Sequence, residues 1–579
     1  MKLQLILQAA PDTAMGSSNR HRMITAFTVM AASATIVFLC GAGAAYAATF
    51  EVARSGDDAN PGTAERPLKS IGKALALAGA GDTVLIHSGT YREGLLQPRA
   101  SGTQDKPLVI RAATGEEVVI KGSMPVSGWQ EAGNGLWKRE NWTINSQQLF
   151  ADGQSLQQIG AASLWHTKAE ANRICLPPVG QGIADIVPGS FYYDAPARTL
   201  YCMLPDRSDP NRVLMEASTF DRILDGLERN YITLRNLTFM HSNGTASGQW
   251  SALVRLSGTG WLIEDCTFTQ GDFAGLSMSG ENHTVRRCRL TFNGDSGLNM
   301  NGSGPQFNYK RITDRPPQNI LLEELEIRGN NTRRFYEHWH AGGMKLIPSI
   351  RSVTIRRCHV ADNYGPGLWL DGALGNNIIE DNLVVNNRTG IFYEISLPAA
   401  GDAFGARIRN NRVIGSINQG IYVAASSGAI VENNTCYGNR WDIVLHGMPR
   451  NVFGGPMLLK DNIVRNNIVY GREQNMIVYS GEYSSHNIVD GNFYATTNPN
   501  PQPEGQPQVD ARPLGFHAPT DAKYQQAVPF RDLQEVTART GFERNGLSGD
   551  PLWIKPADLD FRLRPESPAR GKGWQDDLY

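Results

Sequence analysis

A short segment recurs along the second half of the chain and constrains the fold more than any other feature. Copies such as "ITLRNLTF", "TIRRCHV" and "IVENNTC" share the pattern apolar-x-x-x-x-apolar around one central position. The central positions are Leu237, Cys266, Cys288, Leu325, Cys358, Asn382, Asn411, Asn434, Asn462 and Asn492. Neighbouring positions lie 22 to 37 residues apart, and a strand that recurs at such a period is typical of a solenoid.

The repeat consists of short β segments and Gly/Asn turns, because apolar and polar residues alternate over a few positions at a time. The predicted fold is therefore all-β: a right-handed parallel β-helix in which each repeat forms one coil. Parallel strands stack about 4.8 Å apart, so equivalent residues form columns. We expect the asparagines to share amide hydrogen bonds. Cys266, Cys288 and Cys358 are interpreted as small apolar fillers rather than redox or metal groups.

The first 47 residues are predicted to be a signal peptide. "SSNRHRM" supplies positive charge, a long apolar run follows, and "AYA" at residues 45–47 fits cleavage after Ala47. A membrane anchor is the alternative because the run is long, and translation begins at either Met1 or Met23. Cleavage predicts a secreted or periplasmic protein that keeps no membrane contact.

The rest of the chain is predicted to have four parts. Residues 48–125 form the N-terminal cap and first coils, with "IGKALALA" as a short capping helix. Residues 126–220 interrupt the repeat with hairpin-like runs and form an inserted β-sandwich-like domain. Residues 221–497 form the main β-helix. Residues 498–579 form a Pro-rich linker and a C-terminal cap over the open end, with a helix in "FRDLQEVTART".

Two smaller features allow more than one explanation. "SGDDANPG" at residues 55–62 resembles a calcium loop, but turn chemistry explains these residues better, so a structural calcium ion is not supported and no cofactor is required. Cys175 and Cys202 lie outside the repeat, and a disulfide between them is left open.

The charge balance excludes some classes of partner. The net charge is -1 and only 19% of the residues are charged. Because there is no basic surplus, neither nucleic acid nor an anionic membrane is the expected partner.

A second recurring segment, about twelve residues after the central position, reveals the outward face of the coils. Copies include "GMKLI", "GLWLD", "GIFYE" and "GIYVA". Their second and fourth residues are apolar and face the core, so the third and fifth face outward. One predicted outward column is Ser277, Asn299, Lys345, Trp369, Phe392, Tyr422 and Val444. The other is Ser279, Asn301, Ile347, Asp371, Glu394, Ala424 and His446.

The second column places two carboxylates next to each other. Asp371 and Glu394 end equivalent segments of consecutive coils and are expected to stack directly. Stacked like charges destabilise a sheet, so stability gives no reason for this pair. One carboxyl should have a raised pKa, which leaves one acid and one ionised group. Glycosidases need this division, and a separation of roughly 5–5.5 Å suits a retaining mechanism. The alternative is a pair of solvated surface acids.

Other residues are predicted to contact a carbohydrate substrate. Aromatic rings fit the apolar faces of sugars, and short polar or charged side chains fit their hydroxyl groups. His338 and His340 are two residues apart and would face one side of a strand; with Glu337 they also suggest a metal site, but no third ligand is convincingly spaced. The predicted contacts are Lys345, Trp369, His338, His340, Phe392, Tyr422, Asn301 and His446. Packing of Trp369 and Phe392 under the inserted domain is the alternative for those two rings.

The segments "FYEHWHAGGMKL", "GLWLDG" and "GIFYEIS" resemble the active-site segments of the two-domain β-helix β-xylosidases, glycoside hydrolase family 120. The order of parts is also similar. The resemblance implies that Asp371 is the nucleophile, that Glu394 is the acid/base and that Lys345 lies near the substrate. The family has Gly-His-Glu before the lysine segment, where this chain has Glu337-His338-Trp339-His340, and Ile347 replaces an expected polar residue. These departures put xylose specificity in doubt.

The sequence therefore favours an exported retaining glycosidase that acts on a plant-type oligo- or polysaccharide. A polysaccharide lyase with Lys345 or an arginine as base is the second hypothesis, and a non-catalytic glycan-binding protein is the third. The sequence does not indicate the sugar, the linkage, exo or endo action, or the oligomeric state.

Overall fold

The computed structural model describes residues 47–160, 179–247, 251–301, 317–452, 455–479, 483–496, 514–518 and 528–576. The signal-peptide prediction, Cys175 and most of the Pro-rich linker lie outside these ranges. No helix among the described residues is both long and apolar enough to cross a membrane.

The chain forms a right-handed parallel β-helix, as predicted, in which most coils contribute one strand to each of three long sheets. Sheet 1 contains Thr49–Val52, Thr83–Ile86, Leu108–Ala112, Ile232–Arg235, Leu262–Glu264, Thr284–Arg286, Gln318–Glu323, Arg351–Arg356, Asn377–Glu380, Ala406–Arg409, Ala429–Glu432, Ile463–Arg465 and Ile488–Asp490. Sheet 2 contains Gly89–Tyr91, Val118–Lys121, Thr238–Met240, Thr267–Thr269, Arg289–Thr291, Glu326–Arg328, His359–Ala361, Leu383–Val385, Arg412–Ile414, Thr435–Tyr437, Ile468–Tyr470, Phe493–Ala495 and Leu547–Gly549.

Sheet 3 carries the two outward columns. It contains Leu224–Gly226, Ala252–Leu256, Ala274–Met278, Ser296–Asn301, Gly342–Ile347, Pro366–Asp371, Thr389–Glu394, Gln419–Ala424, Trp441–His446, Gln474–Tyr479, Phe516–Ala518 and Val528–Pro529. Every neighbouring pair is parallel except the last two strands. The inward residues of the three sheets, such as Leu368, Ile391 and Val423, are fully buried in one continuous apolar core, which holds the coils together.

Two antiparallel-rich sheets interrupt the solenoid between its third and fourth sheet 1 strands. The first contains Gln154–Ser155, Leu149–Ala151, Met215–Ser218 and Ser123–Pro125. The second contains Gln157–Gln158, Ser190–Asp194, Thr199–Met203, Leu136–Arg139 and Gln130–Gly133. They share a separate apolar core that includes Leu149, Phe191 and Cys202. Cys202 forms no disulfide within the described residues, so its pairing with Cys175 is left open.

Two helices pack against the apolar core of the solenoid. Helix α1, Ile71–Leu77, begins at Ser70, whose side chain accepts a hydrogen bond from the Lys73 amide, an N-cap that satisfies a free donor of the first turn. The Asp58 carboxylate in turn accepts a hydrogen bond from the Ser70 amide at 2.8 Å. Asp58 therefore stabilises the turn that precedes α1. Helix α2, Leu533–Thr540, buries Val536 against the last coils.

The segment after Leu547–Gly549, the last strand of sheet 2, differs from the prediction. Trp553 and Phe561 pack with Tyr470 and Phe493 against the outer side of sheet 2 instead of over the open end. This segment includes the hairpin Trp553–Lys555 and Asp560–Leu563. The remaining short elements are the strand pairs Asn451–Val452 with Gly455–Pro456 and Leu459–Lys460 with Ser484–Ser485, and the 3-10 turns Ile183–Asp185, Pro210–Arg212, Gly244–Ser247 and Pro556–Asp558.

Buried asparagines form the predicted ladder, with one correction. The Nδ2 of Asn382 donates to Oδ1 of Asn411, and Asn411 donates to Asn434, each at 2.9 Å. The next member is Asn467 and not Asn462. The tandem sequences "KDNIV" and "RNNIV" both fit the repeat, but only Asn467 follows the sheet 1 strand of its coil. A second ladder, which was not predicted from the sequence, joins Asn293, Asn330, Asn363 and Asn387.

Candidate active site

The strand register of sheet 3 reproduces both predicted columns. Lys345 pairs with Trp369, Trp369 with Phe392, and Phe392 with Tyr422. Asp371 pairs directly with Glu394 on the next coil. The glycine and the alternating apolar residues of each segment set this register, because a shift by one residue would turn the apolar side chains out of the core.

Local hydrogen bonds hold the ends of these two strands together. After Asp371 the chain turns through Gly372 with a φ of 65°, a conformation that glycine adopts without strain. The Gly372 amide then donates to the Glu394 carbonyl at 2.9 Å. The Ser396 hydroxyl donates to the same carbonyl at 2.7 Å. The backbone at the carboxylate pair is therefore well fixed.

Lys345 lies beside Asp371 beneath the surface. Its Nζ is 2.8 Å from Oδ2 of Asp371 and 3.6 Å from the centre of the Trp369 ring. Nζ also donates to the Trp339 carbonyl. Asp371 is only 6% exposed, and its Oδ1 has no hydrogen-bond partner among the described residues. One carboxylate oxygen is thus held by a cation, while the other is buried and shielded from solvent.

Glu394 has a different environment from Asp371. Its burial and the nearby Asp371 carboxylate raise the pKa of Glu394 above its ordinary value, against the opposing effects of Lys345 and Arg450. The guanidinium of Arg450, which is 43% exposed, contacts Oε1 of Glu394 from the solvent side. Burial and a neighbouring like charge both disfavour ionisation, so Glu394 holds a proton more readily than an ordinary glutamate does.

The aromatic residues stack along the solenoid, which corrects the expectation that their faces are open to a sugar. The ring centres of Trp369 and Phe392 are 5.0 Å apart, and those of Phe392 and Tyr422 are 4.7 Å apart. Trp369 is buried with Lys345 on one face and Phe392 on the other. Because in-register rings cover each other's faces, Phe392 and Tyr422 present mainly their edges to a ligand.

A cavity of about 320 Å³ opens beside Glu394. Its lining combines aromatic, amide, hydroxyl and charged groups, which is the composition expected of a polar-ligand site. The lining residues are Glu337, His338, Pro366, Arg388, Thr389, Phe392, Glu394, Asn418, Gln419, Tyr422, Met448 and Arg450.

The two candidate histidines lie in different places. His338 lines the cavity and its side chain is 59% exposed. His340 is buried against Asp295 and packs near Phe273 and Phe335, so its predicted substrate contact is wrong. The reason is that residues 337–340 form a turn, with the Trp339 amide donating to the Tyr336 carbonyl at 3.2 Å. Residues two apart share a side only in an extended strand.

Of the remaining predicted contacts, Tyr422 lines the cavity and His446 lies behind it. The hydroxyl of Tyr422 is 2.8 Å from Nδ1 of His446, and burial lowers the pKa of His446. His446 therefore supports Tyr422 and does not line the cavity. The side chain of Asn301 lies outside the described part. No group of three or more potential metal ligands occurs among the residues that the structure describes.

Several lining residues were missed from the sequence. Thr389 and Gln419 precede the glycine of consecutive sheet 3 segments and share a hydrogen bond of 3.0 Å. They stand three residues before Phe392 and Tyr422, so the two-residue alternation that defines the columns does not reach them. Arg388 lies 3.0 Å from Glu337. Arg450 follows the strand Trp441–His446 in a loop that has no counterpart in the neighbouring coils, so the repeat gives no signal for it.

Three family models each match a part of the chain. A family model described as a right-handed β-helix region matches residues 225–399. A model described as periplasmic copper-binding protein (NosD) matches residues 323–499, and a model of a protein of unknown function matches residues 54–98.

Two curated relatives match short stretches only. The chain is 44% identical over 71 residues to the uncharacterized protein YwoF of Bacillus subtilis, which is 12% of this chain and 15% of that protein. It is 41% identical over 80 residues to the pectate lyase PEL9 of Emericella nidulans, which is 14% of this chain and 20% of that protein.

A likeness over most of the chain is found with the solved structure of XylC in complex with xylose. The TM-score is 0.59, the identity is 19%, and 87% of each chain is covered. At this identity the likeness defines the class of fold, a right-handed parallel β-helix.

Proposed function

We propose that this protein is an exported retaining glycoside hydrolase in which Asp371 is the nucleophile and Glu394 is the acid/base. The observation that carries the proposal is the direct pairing of two buried carboxylates that differ in environment. One is held by a lysine and the other has a raised pKa.

The proposed reaction follows from these environments. Asp371, ionised beside Lys345, attacks the anomeric carbon while Glu394 gives its proton to the leaving oxygen. A covalent glycosyl-Asp371 intermediate forms and the leaving sugar departs. Glu394, now ionised, removes a proton from water, which attacks the anomeric carbon and releases Asp371. Adjacent coils keep the carboxyl groups close, which favours two displacements over one.

The substrate class is inferred from the cavity and the fold. Amide and hydroxyl groups from Thr389, Asn418 and Gln419 suit sugar hydroxyls. The likeness to XylC, whose structure contains xylose, makes a β-xyloside the first substrate to test. For a lyase, Lys345 would have to accept a proton, yet its Nζ already donates to Asp371 and to the Trp339 carbonyl. This arrangement favours the hydrolase.

The test is a screen of aryl β-glycosides with the wild type, Asp371→Asn, Glu394→Gln and the control Glu473→Gln, whose acid forms an exposed ion pair with Arg440. We expect proton NMR to show the first-formed product with retained anomeric configuration. Each site variant should lose at least about a thousandfold in kcat, and the control should keep wild-type turnover. An inverted first product, an unsaturated uronate, or near-normal turnover in either site variant would refute the proposal.

A further inference from the structure

Arg450 is the charged residue of the cavity whose role is unexplained by hydrolysis of a neutral sugar. Its guanidinium contacts Glu394 and, within the described residues, no other carboxylate. Its backbone is held, because its carbonyl accepts the Met457 amide at 2.7 Å, and the strand pair Asn451–Val452 and Gly455–Pro456 follows directly. The side chain is therefore presented to the cavity from an anchored loop.

The proposed reaction removes the partner of Arg450. Glu394 must carry a proton before it can act as an acid, and a neutral carboxyl group no longer balances the guanidinium. The other cations of the site have their own anions: Lys345 contacts Asp371 and Arg388 contacts Glu337. When Glu394 is protonated, Arg450 no longer has a charged partner. Among the described charged groups of the cavity, together with Lys345 and Asp371 below it, Arg450 is then the one unbalanced charge.

The position of Arg450 defines which part of a substrate could balance its positive charge. Arg450 touches the acid/base, and the acid/base touches the leaving oxygen, so Arg450 faces the leaving-group sugar. Lys345 and Asp371 lie on the other side of Glu394 along sheet 3. A guanidinium that already binds one carboxylate has the geometry to bind another.

We propose that the leaving-group side of this site binds a sugar that carries a carboxylate, a uronosyl unit, through Arg450. The proposal rests on the proposed function, because it uses Glu394 as the acid/base. It gives Arg450 two alternating partners, Glu394 in the empty site and the substrate carboxylate in the complex. When the substrate takes Arg450, one of the groups that lower the pKa of Glu394 is neutralised, which favours the acid form when it is needed.

Binding of free sugars tests the proposal without requiring turnover. Isothermal titration of the full chain compares D-glucuronate with D-glucose and D-galacturonate with D-galactose. Wild type should bind each uronate at least about tenfold more tightly than its neutral counterpart, since hydrogen bonds to charged groups contribute about 1.5–3 kcal/mol. Arg450→Gln should bring this ratio close to one. Arg440→Gln, which removes an exposed arginine paired with Glu473, should leave the ratio unchanged.

Turnover provides a second measurement. Two aryl β-xylosides that differ only in carrying a carboxylate or its methyl ester on the ring are compared. Arg450→Gln should raise KM for the carboxylate substrate about tenfold and leave KM for the ester nearly unchanged. If Arg450→Gln only shifts the pH profile for both substrates equally, Arg450 is a positioning residue for Glu394 and the proposal is refuted.

The outcomes separate this proposal from the proposed function. Uronate preference that depends on Arg450 in a protein without hydrolase activity supports the carboxylate site and refutes the hydrolase. Hydrolysis with no uronate preference refutes the carboxylate site alone. Tighter binding of glucose 6-sulfate than of glucuronate would also overturn the proposed carboxylate site, because a sulfate group would then be the anion recognised.

Discussion

Two columns of charged residues on the same solenoid follow opposite rules. On sheet 1, ten in-register residues alternate in sign from coil to coil: Arg235, Glu264, Arg286, Glu323, Arg356, Glu380, Arg409, Glu432, Arg465 and Asp490. On sheet 3, Asp371 and Glu394 are neighbours with the same sign. The backbone spacing is the same in both places, so the difference lies in the choice of side chain.

The two arrangements affect carboxyl groups in opposite directions. Burial acts to raise the pKa of Glu432, but hydrogen bonds from Arg465 and Arg407 outweigh it and hold the pKa below its ordinary value. Burial and Asp371 raise the pKa of Glu394. The ten sheet 1 residues alternate in sign, whereas Asp371 and Glu394 do not, and we infer that function maintains this costly pair.

The largest expected effect comes from breaking the alternation on sheet 1. Arg409→Glu places a third carboxylate between Glu380 and Glu432. We expect the free energy of unfolding to fall by about 3–5 kcal/mol, because removing one partner leaves buried charge uncompensated. Urea denaturation measures this loss. Arg440→Glu, at an exposed pair, should change stability by less than about 1 kcal/mol. Equal losses in the two variants would contradict the prediction that the alternating column stabilises the fold more than an exposed ion pair does.

A smaller effect is expected when one anion is neutralised on sheet 1. Glu432→Gln should cost about 2 kcal/mol at pH 7, because hydrogen bonds to charged groups are lost. A lowered native pKa stabilises the fold above the ordinary value of about 4.3 and ceases to do so as the pH falls through the native value. The difference between wild type and Glu432→Gln should therefore shrink in acid, as thermal unfolding between pH 3 and 7 would measure.

The same kind of substitution on sheet 3 should change the free energy of unfolding in the opposite direction. Glu394→Gln removes a group with a raised native pKa, whose ionisation opposes folding. We expect a gain of about 1 kcal/mol at neutral pH with loss of activity, a trade-off common at active sites. The gain should disappear as the pH falls below about 4.3, where Glu394 is protonated in both folded and unfolded states. A loss of stability at pH 7 would contradict this contrast between the sheets.

Regular parts of the molecule were predictable from the sequence because a solenoid repeats its environment. The glycine and apolar positions of "GLWLD" and "GIFYE" predicted the pairing of Asp371 with Glu394, and the structure confirms it. Prediction failed where two signals compete or the repeat is interrupted. Asn462 and Asn467 both match the repeat, and only the strand register decides between them.

The irregular parts of the site could not be read in the same way. His340 was misplaced because a turn replaces the expected strand at residues 337–340. Arg450 contacts Glu394 from 56 residues further along the chain, in a loop without an equivalent among the described residues of the other coils. Binding residues often lie on loops that a rigid scaffold positions. Arg450 is such a residue, and the substrate that we infer depends on it.

Trapping the covalent intermediate tests the central claim most directly. An activated 2-deoxy-2-fluoro glycoside of the sugar cleaved in the aryl-glycoside screen is incubated with the wild type, and the labelled peptide is mapped by mass spectrometry. We expect one glycosyl group, on Asp371, and no labelling of Asp371→Asn. A label on another residue, or inactivation of the enzyme with no covalent adduct, would contradict it.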